Sequence, residues 1–543
     1  MAEWSKNALV VLKERYLKRS SDGQLLETND GLLYRVAEAI AKAEPELEQQ
    51  KMTERFYKLL DSLVFLPNSP TLMNAGRDLG QLSACFVLPI EDDISAIFEA
   101  VKQSAIIHKS GGGTGFSFSK IRPSGSVVKS TSGVASGPVS FMKVFNAATE
   151  VVKQGGKRRG ANLGTLICNH PDIVEWINCK IKPGEFENFN VSVSLTDEFL
   201  KAAIIGGEYE LIDPCKKTNG VKLNAGEVFA LICNNAWLMG EPGVLFIDTI
   251  NRMNLTPHLG RIEATNPCGE QILYSWESCN LGSIDLSKFI NDGDFQWTRL
   301  EKTLRLCVRF LDDVIDVNKY PKVRIENKTK FTRKIGLGVM GWADALIELN
   351  IKYDSVEALN MADKVMKSIK EISYDESHKL AKERGVYPAS IKGAKAMRNA
   401  SLTTIAPTGT LSLLANCSSG IEPIFDRSYT KTVMDDVVLD LSRKYTYPES
   451  IRTAHEVSPE NHVRMQAAFQ KHCDSAVSKT INLPHDATVE DVKKALMLGY
   501  ELGCKGMTFY RDGTREAPLR KKDANKEKDR GLSECENGKC DIF

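Results

Sequence analysis

An amide, a thiol and a carboxylate stand on alternate residues in the middle of this chain, at Asn266, Cys268 and Glu270. If the backbone is extended there, the three side chains point the same way, because side chains alternate along a strand. A thiol can give up a hydrogen atom, a carboxylate can accept a proton, and an amide can hold hydroxyl groups. This set of groups suits the radical removal of a hydroxyl group from a ribose.

The residues after this motif help to decide whether Cys268 takes part in chemistry or is simply a buried cysteine. Taken alone, Asn-x-Cys-x-Glu is more often a buried cysteine in a strand with solvent-facing polar neighbours. Here the run Glu277–Ser283 follows directly and contains a second cysteine, Cys279. Reductive loss of a hydroxyl group consumes two electrons, so a dithiol near the first thiol must become a disulfide. The combined pattern favours the chemical interpretation.

Two further segments suit the binding of a nucleotide. Residues Ser401–Ile405 are predicted to form a strand that leads into Ala406–Ser412, the start of an apolar helix. Backbone N–H groups and hydroxyls at such a start can bind phosphate, although an ordinary capping turn is the alternative. The glycines of Gly111–Gly115 permit a close backbone approach.

The elements that must position these residues divide into three parts. Residues 1–64 show helical spacing of apolar residues and are predicted to be a helical N-terminal region. Residues 65–515 alternate strand-like runs with helical patterns, which predicts βα units in an α/β barrel or open sheet. Residues 516–543 form a charged, apolar-poor stretch that is predicted to be a flexible linker and tail, and the tail holds Cys535 and Cys540.

The composition excludes several classes of protein. Net charge is +1 over 543 residues, so no overall field attracts nucleic acid or an anionic membrane. No apolar run approaches the roughly 20 residues that span a bilayer, and no signal peptide is visible. The 13 cysteines are scattered, which argues against a disulfide scaffold and for a reducing cytoplasm. No metal site built from side chains is predicted.

In their order along almost the whole chain, these motifs resemble the ribonucleotide reductases. The resemblance implies a ten-stranded α/β barrel. By this resemblance, Cys268 would carry the thiyl radical and Glu270 would be the base for the 3′ hydroxyl. Asn266 would bind the sugar hydroxyls. The resemblance makes Cys85 and Cys279 the dithiol that is oxidised in each turnover.

The cysteines of the tail resemble the family's C-terminal redox shuttle. Cys535 and Cys540 would re-reduce the buried disulfide and would be reduced in turn by a thioredoxin-like protein. Zinc binding is a rival, but two cysteines without a second pair or a histidine make a poor tetrahedral site. Adventitious cysteines are the remaining alternative.

The resemblance also assigns the contacts to ligands. The predicted substrate-binding residues are Ser69, Thr71, Ala84, Gly113, Asn266, Pro407, Thr408, Gly409, Thr410 and Ser412. The residues predicted to bind deoxynucleotide or ATP effectors are Asp93, Lys109, Arg122 and Arg158. A helix N-cap is the alternative for Asp93. The loops Gly125–Gly137 and Gln154–Ala161 would relay the identity of the effector in a homodimer.

The source of the radical depends on the C-terminal part of the barrel. Family members that import the radical from a second subunit have two adjacent tyrosines, whereas Gly506–Gly513 has only Tyr510. This stretch and Ser478–Pro484 resemble the adenosylcobalamin-dependent class. The resemblance implies a cobalt-cofactor enzyme that makes 2′-deoxyribonucleotides for DNA synthesis, with diphosphates as the favoured substrates. The alternatives are a large subunit fed by a separate radical-generating subunit and a catalytically silent nucleotide-binding relative.

Overall fold

The N-terminal region of the protein is helical, as predicted. The computed structural model describes residues 2–128, 132–154, 158–182, 184–217, 220–433, 437–514 and 519–521. Its first helices are α1 (Lys6–Val11), α2 (Asn29–Ala41) and α3 (Glu46–Asp61), and a π-helical turn, Leu12–Tyr16, continues α1. Side chains of Ser5 and Thr28 accept backbone hydrogen bonds and so cap α1 and α2.

A ten-stranded sheet forms the centre of the molecule. Its strands are β1 (Phe65–Pro67), β2 (Cys85–Val87), β3 (Gly113–Ser117), β4 (Asn162–Ile167), β5 (Phe189–Leu195), β6 (Gly243–Phe246), β7 (Ser278–Asp285), β8 (Ile335–Met340), β9 (Thr480–Leu483) and β10 (Gly506–Arg511). Strands β1, β2, β6, β7 and β8 are buried at every residue, as expected for strands that are covered on both faces.

The strands of this sheet pair in one continuous order. Strands β2 to β6 are parallel neighbours in chain order, and β6 then meets β10 in antiparallel orientation. Strand β10 runs parallel to β9, while β7 runs parallel to β8 and antiparallel to β1 and β2. Parallel bridges Leu337–Thr403 and Ile405–Val477 link β8 to the segment that enters β9. The predicted ten-stranded α/β barrel is confirmed, with three antiparallel strand pairs that the sequence did not indicate.

Helices cover the outside of this sheet. They are α4 (Ser69–Asn74), α5 (Ile94–Lys109), α6 (Gly137–Val151), α7 (Ile173–Asn178), α8 (Asp197–Ile204), α9 (Ala225–Met239), α10 (Ile247–Arg252), α11 (Trp297–Val317), α12 (Val323–Thr332), α13 (Trp342–Glu348), α14 (Val356–Arg384), α15 (Leu411–Ala415), α16 (Pro459–Gln470) and α17 (Val489–Glu501). One apolar core joins the N-terminal helices to α11, α14 and β8, so the helical region packs directly on the barrel.

Short hairpins complete the described structure. Their paired strands are Val127–Val128 with Gly133–Val134, Lys153–Gln154 with Arg158–Arg159, Glu208–Glu210 with Lys222–Asn224, Ala264–Thr265 with Ile272–Leu273, Ile290–Asn291 with Asp294–Phe295, and Tyr429–Val433 with both Val437–Asp440 and Leu519–Lys521. Residues 522–543, with the predicted tail cysteines Cys535 and Cys540, lie outside the described residues.

Candidate active site

Cys268 lies at the tip of a hairpin inside the barrel. The strands Ala264–Thr265 and Ile272–Leu273 pair antiparallel, and between them the Gly269 N–H donates to the Asn266 carbonyl at 3.0 Å. Gly269 has a φ of 79°, which favours glycine. The tip is therefore a tight turn, and the extended backbone predicted for Asn266–Glu270 was wrong. The turn, rather than strand alternation, brings the functional side chains together.

The side chains of Asn266, Glu270 and Cys85 are in direct contact. Asn266 Nδ2 donates to Glu270 Oε2 at 2.8 Å and to Cys85 Sγ at 3.1 Å. The Cys85 thiol also lies 3.8 Å from Glu270 Oε1. Asn266 Oδ1 accepts the Gln271 N–H at 2.9 Å, which fixes the orientation of the amide. One wall of the site thus combines a fixed amide donor, a carboxyl group and a thiol.

Glu270 is fully buried, and this burial changes its acidity. Removing the carboxylate from water raises the pKa of Glu270 to about 7, while the hydrogen bond from Asn266 opposes the shift. A carboxyl group with a pKa near neutrality can both accept and return a proton at physiological pH. Glu270 therefore has the acidity expected of a general base.

Residues from three separate parts of the chain hold the hairpin tip in place. The Glu270 carbonyl accepts hydrogen bonds from the Ala476 N–H at 2.9 Å and from Thr404 Oγ1 at 2.8 Å. On the other side, Asn190 Nδ2 donates to the Pro267 carbonyl at 2.8 Å. The sequence did not reveal these positioning residues, because they lie far from the Cys268 motif along the chain.

Cys85 and Cys279 lie opposite each other on neighbouring strands. They are Cα partners in the antiparallel register of β2 and β7. Directly opposed residues in such a pair have Cα atoms roughly 4.5–5.5 Å apart, within the range of a disulfide. Both thiols are reduced and buried, and burial raises the pKa of each. The pair can become a disulfide with little movement of the backbone.

Cys268 is exposed at the meeting point of two cavities. The first, of about 290 Å³, also contains Cys85 and Glu270. Its lining includes most of the residues predicted to bind substrate, namely Ser69, Ala84, Gly113, Asn266, Pro407, Thr408, Gly409 and Thr410. The second, of about 240 Å³, shares Pro267, Cys268 and Pro407 with the first.

Two predicted substrate residues lie outside the first cavity. Thr71 is buried, and its hydroxyl donates to the Leu82 carbonyl at 3.0 Å. Ser412 forms a 2.9 Å hydrogen bond with Ser419 and lines a neighbouring cavity of about 190 Å³. Both hydroxyl groups form hydrogen bonds within the protein, so these two residues support the wall of the first cavity from behind.

The glycines of β3 make room for the hairpin. A Cβ atom on Gly115 would collide with the Thr265 carbonyl, and one on Gly113 would lie 2.8 Å from Pro267 Cγ. A Cβ on Gly113 would therefore push against the turn that carries Cys268. The close approach predicted for this glycine run is made by the hairpin backbone itself.

The predicted effector residues are only partly brought together. Asp93 Oδ1 accepts the Ala96 N–H at 2.9 Å, so Asp93 caps α5. Its neighbour Asp92 instead forms an ion pair with Arg122, with Nε 2.6 Å from Oδ2. Asp92 is not among the predicted effector residues, although it belongs to the same acidic run before α5.

The remaining effector predictions are spread along the chain. Lys109 is the last residue of α5, whose 16 residues separate it from Asp93 by about 24 Å. Arg158 lies in the short strand Arg158–Arg159, whose side chains are outside the described structure, as are residues 129–131 and 155–157 of the two predicted relay loops. One chain therefore does not place Asp93 and Lys109 at a common site.

The described residues contain neither a helix that could span a membrane nor a cluster of side chains that could hold a metal ion. No helix in this part of the chain is long and apolar enough to cross a bilayer. No group of three or more His, Cys, Asp or Glu side chains is placed to hold a metal ion in the ranges that the structure describes.

The sequence matches two family models over nearly all of its described length. Residues 83–395 and 389–510 match the ribonucleotide reductase barrel domain, and residues 2–80 match the ribonucleotide reductase all-alpha domain. The chain therefore belongs to the ribonucleotide reductase family, as its motifs predicted.

Individual relatives indicate which members of the ribonucleotide reductase family the chain is similar to. The chain is 44% identical to a vitamin B12-dependent ribonucleoside-diphosphate reductase of Thermoplasma acidophilum, over 94% of this chain and 79% of the relative. An enzyme of the same name from Mycobacterium tuberculosis is also 44% identical, over 94% of this chain and 80% of the relative. The ribonucleoside-diphosphate reductase subunit alpha of Chlamydia muridarum is 30% identical, over 82% of this chain and 49% of the relative.

Proposed function

We propose that this chain reduces ribonucleoside diphosphates to 2′-deoxyribonucleoside diphosphates and uses adenosylcobalamin as its radical source. The observation that carries the proposal is the position of Cys268, which is exposed between two cavities and stands next to a carboxyl group and a dithiol. The names of the relatives that are 44% identical support both the cofactor and the diphosphate substrate.

The second cavity fits a radical source that approaches Cys268 without entering the substrate cavity. Small residues line it beside the thiol, including Gly243, Ser478 and Gly506. These residues would border the cofactor on the side of Cys268. When bound, adenosylcobalamin would supply the radical equivalent that removes the hydrogen atom of the Cys268 thiol.

The residues of the first cavity would carry out the reduction. The Cys268 thiyl takes the 3′ hydrogen of the ribose, Glu270 accepts the proton of the 3′ hydroxyl, and Asn266 holds the sugar hydroxyls. The 2′ hydroxyl leaves as water. The two electrons and two protons needed for balance come from Cys85 and Cys279, which become a disulfide, and the 3′ hydrogen returns from Cys268.

Re-reduction of the buried disulfide is assigned to Cys535 and Cys540, with a thioredoxin-like protein as the external reductant. A flexible tail would reach this disulfide where a bulky protein would not, since both Cys85 and Cys279 are buried. The cysteines of the described residues are all reduced, which supports the proposed cytoplasmic location.

A homodimer would complete the effector site. Helix α5 exposes Ile94 and Phe98, which lie four residues apart on one face, with 60% and 51% of their surfaces accessible. Antiparallel packing of α5 against its copy would bring Asp92 of one subunit towards Lys109 of the other. The separation of these residues within one chain supports this arrangement.

Turnover with and without cobalamin tests the proposal. The protein would be incubated anaerobically with CDP, dithiothreitol and a deoxynucleotide effector. We expect 2′-deoxy-CDP only when adenosylcobalamin is added. Product that requires a separate metalloprotein instead would identify a chain fed by a second subunit. Nucleotide binding without product under either condition would identify a catalytically silent relative.

A further inference from the structure

A cation from the N-terminal helical region contacts the loop that is expected to hold the substrate phosphates. Arg15 lies in the π-helical turn Leu12–Tyr16, and its Nη1 donates to Thr410 Oγ1 at 2.8 Å. Its Nη2 is buried and has no hydrogen-bond partner among the described residues. A buried, charged donor without an acceptor is unfavourable, so this nitrogen is suited to an anionic ligand.

The next residue contacts a second part of the same cavity. The Tyr16 hydroxyl lies 2.7 Å from Ser69 Oγ, and the Arg15 guanidinium carbon lies 5.9 Å from the centre of the Tyr16 ring. Ser69 and Thr410 both line the cavity that contains Cys268. Two consecutive residues of the helical region therefore support two sides of the substrate cavity.

A second cation contacts this loop through a neighbouring residue. Lys431 Nζ donates to the Gly409 carbonyl at 3.0 Å, and burial lowers the pKa of Lys431. Helix α15, which follows the loop, has only five residues. The dipole of so short a helix is small, so the positive charges of Arg15 and Lys431 add to what the loop itself can offer an anion.

We propose that Arg15 is a phosphate ligand of the substrate site and that Lys431 adds a second positive charge through the same loop. This inference rests on the proposed function, because the anion is the diphosphate group of the substrate. A guanidinium with one nitrogen fixed on Thr410 still has Nη2 free to donate to a phosphate oxygen. The helical region would then supply a binding group to a cavity that otherwise belongs to the barrel.

The alternative is that Arg15 only ties the helical region to the barrel. The two roles differ in what they do to ligands with and without phosphate. A phosphate ligand affects CDP strongly and cytidine hardly at all. A purely structural tie would affect both ligands alike, because both occupy the same cavity.

Binding of CDP and cytidine to the full chain, without cobalamin and with saturating effector, tests the proposal. For Arg15→Gln we expect CDP affinity to fall about 10- to 100-fold, the effect of losing a charge-assisted hydrogen bond, with cytidine affinity unchanged. Arg15→Lys should recover part of the loss, and Lys431→Met should show a smaller loss for CDP. Arg19→Gln is the matched control, since Arg19 bonds only the exposed carbonyls of Lys13 and Gly23 and pairs with Glu14.

The outcomes separate this inference from the proposed function. Equal losses for CDP and cytidine, or no loss in Arg15→Gln, would overturn the role of Arg15 even if the wild-type protein makes deoxynucleotides. Arg15-dependent CDP binding in a protein that makes no product would leave the role of Arg15 intact and contradict the proposed reductase. A wild-type chain that binds no CDP would contradict both.

Discussion

At the residue scale, Glu270 links catalysis to stability. Burial raises its pKa to about 7, from 4.5 for an ordinary glutamate. A carboxyl group whose pKa is raised by folding favours the folded state at pH below about 4.5, and this contribution is lost as the pH rises through about 7. The wild-type protein therefore keeps a base in its active site at some expense of stability above neutral pH.

The variant Glu270→Gln should be more stable than the wild type at pH 8, by up to about 3 kcal/mol, and the difference should shrink towards pH 5. The variant should make no product, while wild-type turnover should rise between about pH 6 and 8 as Glu270 loses its proton. Denaturant unfolding at the two pH values measures the first effect. A difference in stability that does not depend on pH would contradict the assigned acidity.

Asp285 provides a matched control for this experiment. It is fully buried outside the first cavity, and burial raises its pKa to about 7 as well. Asp285→Asn should therefore show the same pH-dependent gain in stability but keep activity. Loss of activity in both variants would mean that the loss in Glu270→Gln reflects general damage to the barrel.

At the scale of elements, the sequence predicted some local structures and missed others for identifiable reasons. The order of the motifs was sufficient to predict which residues lie together around Cys268, because each motif is short and chemically specific. The turn at Gly269 was missed, because alternation of side chains fits an extended strand equally well. The sequence alone does not distinguish Asp92 from Asp93 as the effector residue, since a shift of one residue in the start of α5 exchanges their positions.

The two aspartates give an element-scale prediction. Asp92→Ala should weaken the control that deoxynucleotide effectors exert over which base is reduced, because it removes the partner of Arg122. Asp93→Ala should leave that control intact and cost about 1 kcal/mol of stability as a lost N-cap. Product ratios with each effector, together with thermal unfolding, distinguish them. The reverse pattern would restore Asp93 as the effector residue.

At the scale of the whole molecule, the helical region packs on the barrel through one apolar core. The resemblance to ribonucleotide reductases was sufficient to predict the α/β barrel, since the motifs appear in order over nearly the full chain. The contact of Arg15 with Thr410 could not be predicted, because the two residues are 395 positions apart and no local pattern joins them. The positioning residues Asn190 and Ala476 were missed for the same reason.

Deleting residues 532–543 tests the proposed role of the tail. Turnover with thioredoxin should collapse, because a protein reductant cannot enter the buried site and a linker of about 20 residues spans on the order of 25 Å. Turnover with dithiothreitol should remain, since a small dithiol diffuses to Cys85 and Cys279. The full-length Cys535→Ser/Cys540→Ser variant should behave in the same way. Equal activity with thioredoxin before and after deletion would make these cysteines irrelevant to turnover.

The most direct test of the central claim is one anaerobic turnover without external reductant, followed by mapping of disulfides. The reaction would contain CDP, adenosylcobalamin and the variant that lacks residues 532–543, so that the buried dithiol is the only expected source of electrons. We predict one equivalent of 2′-deoxy-CDP and one Cys85–Cys279 disulfide per active site, with neither formed in Cys268→Ser. Product without that disulfide, or product from Cys268→Ser, would contradict the account.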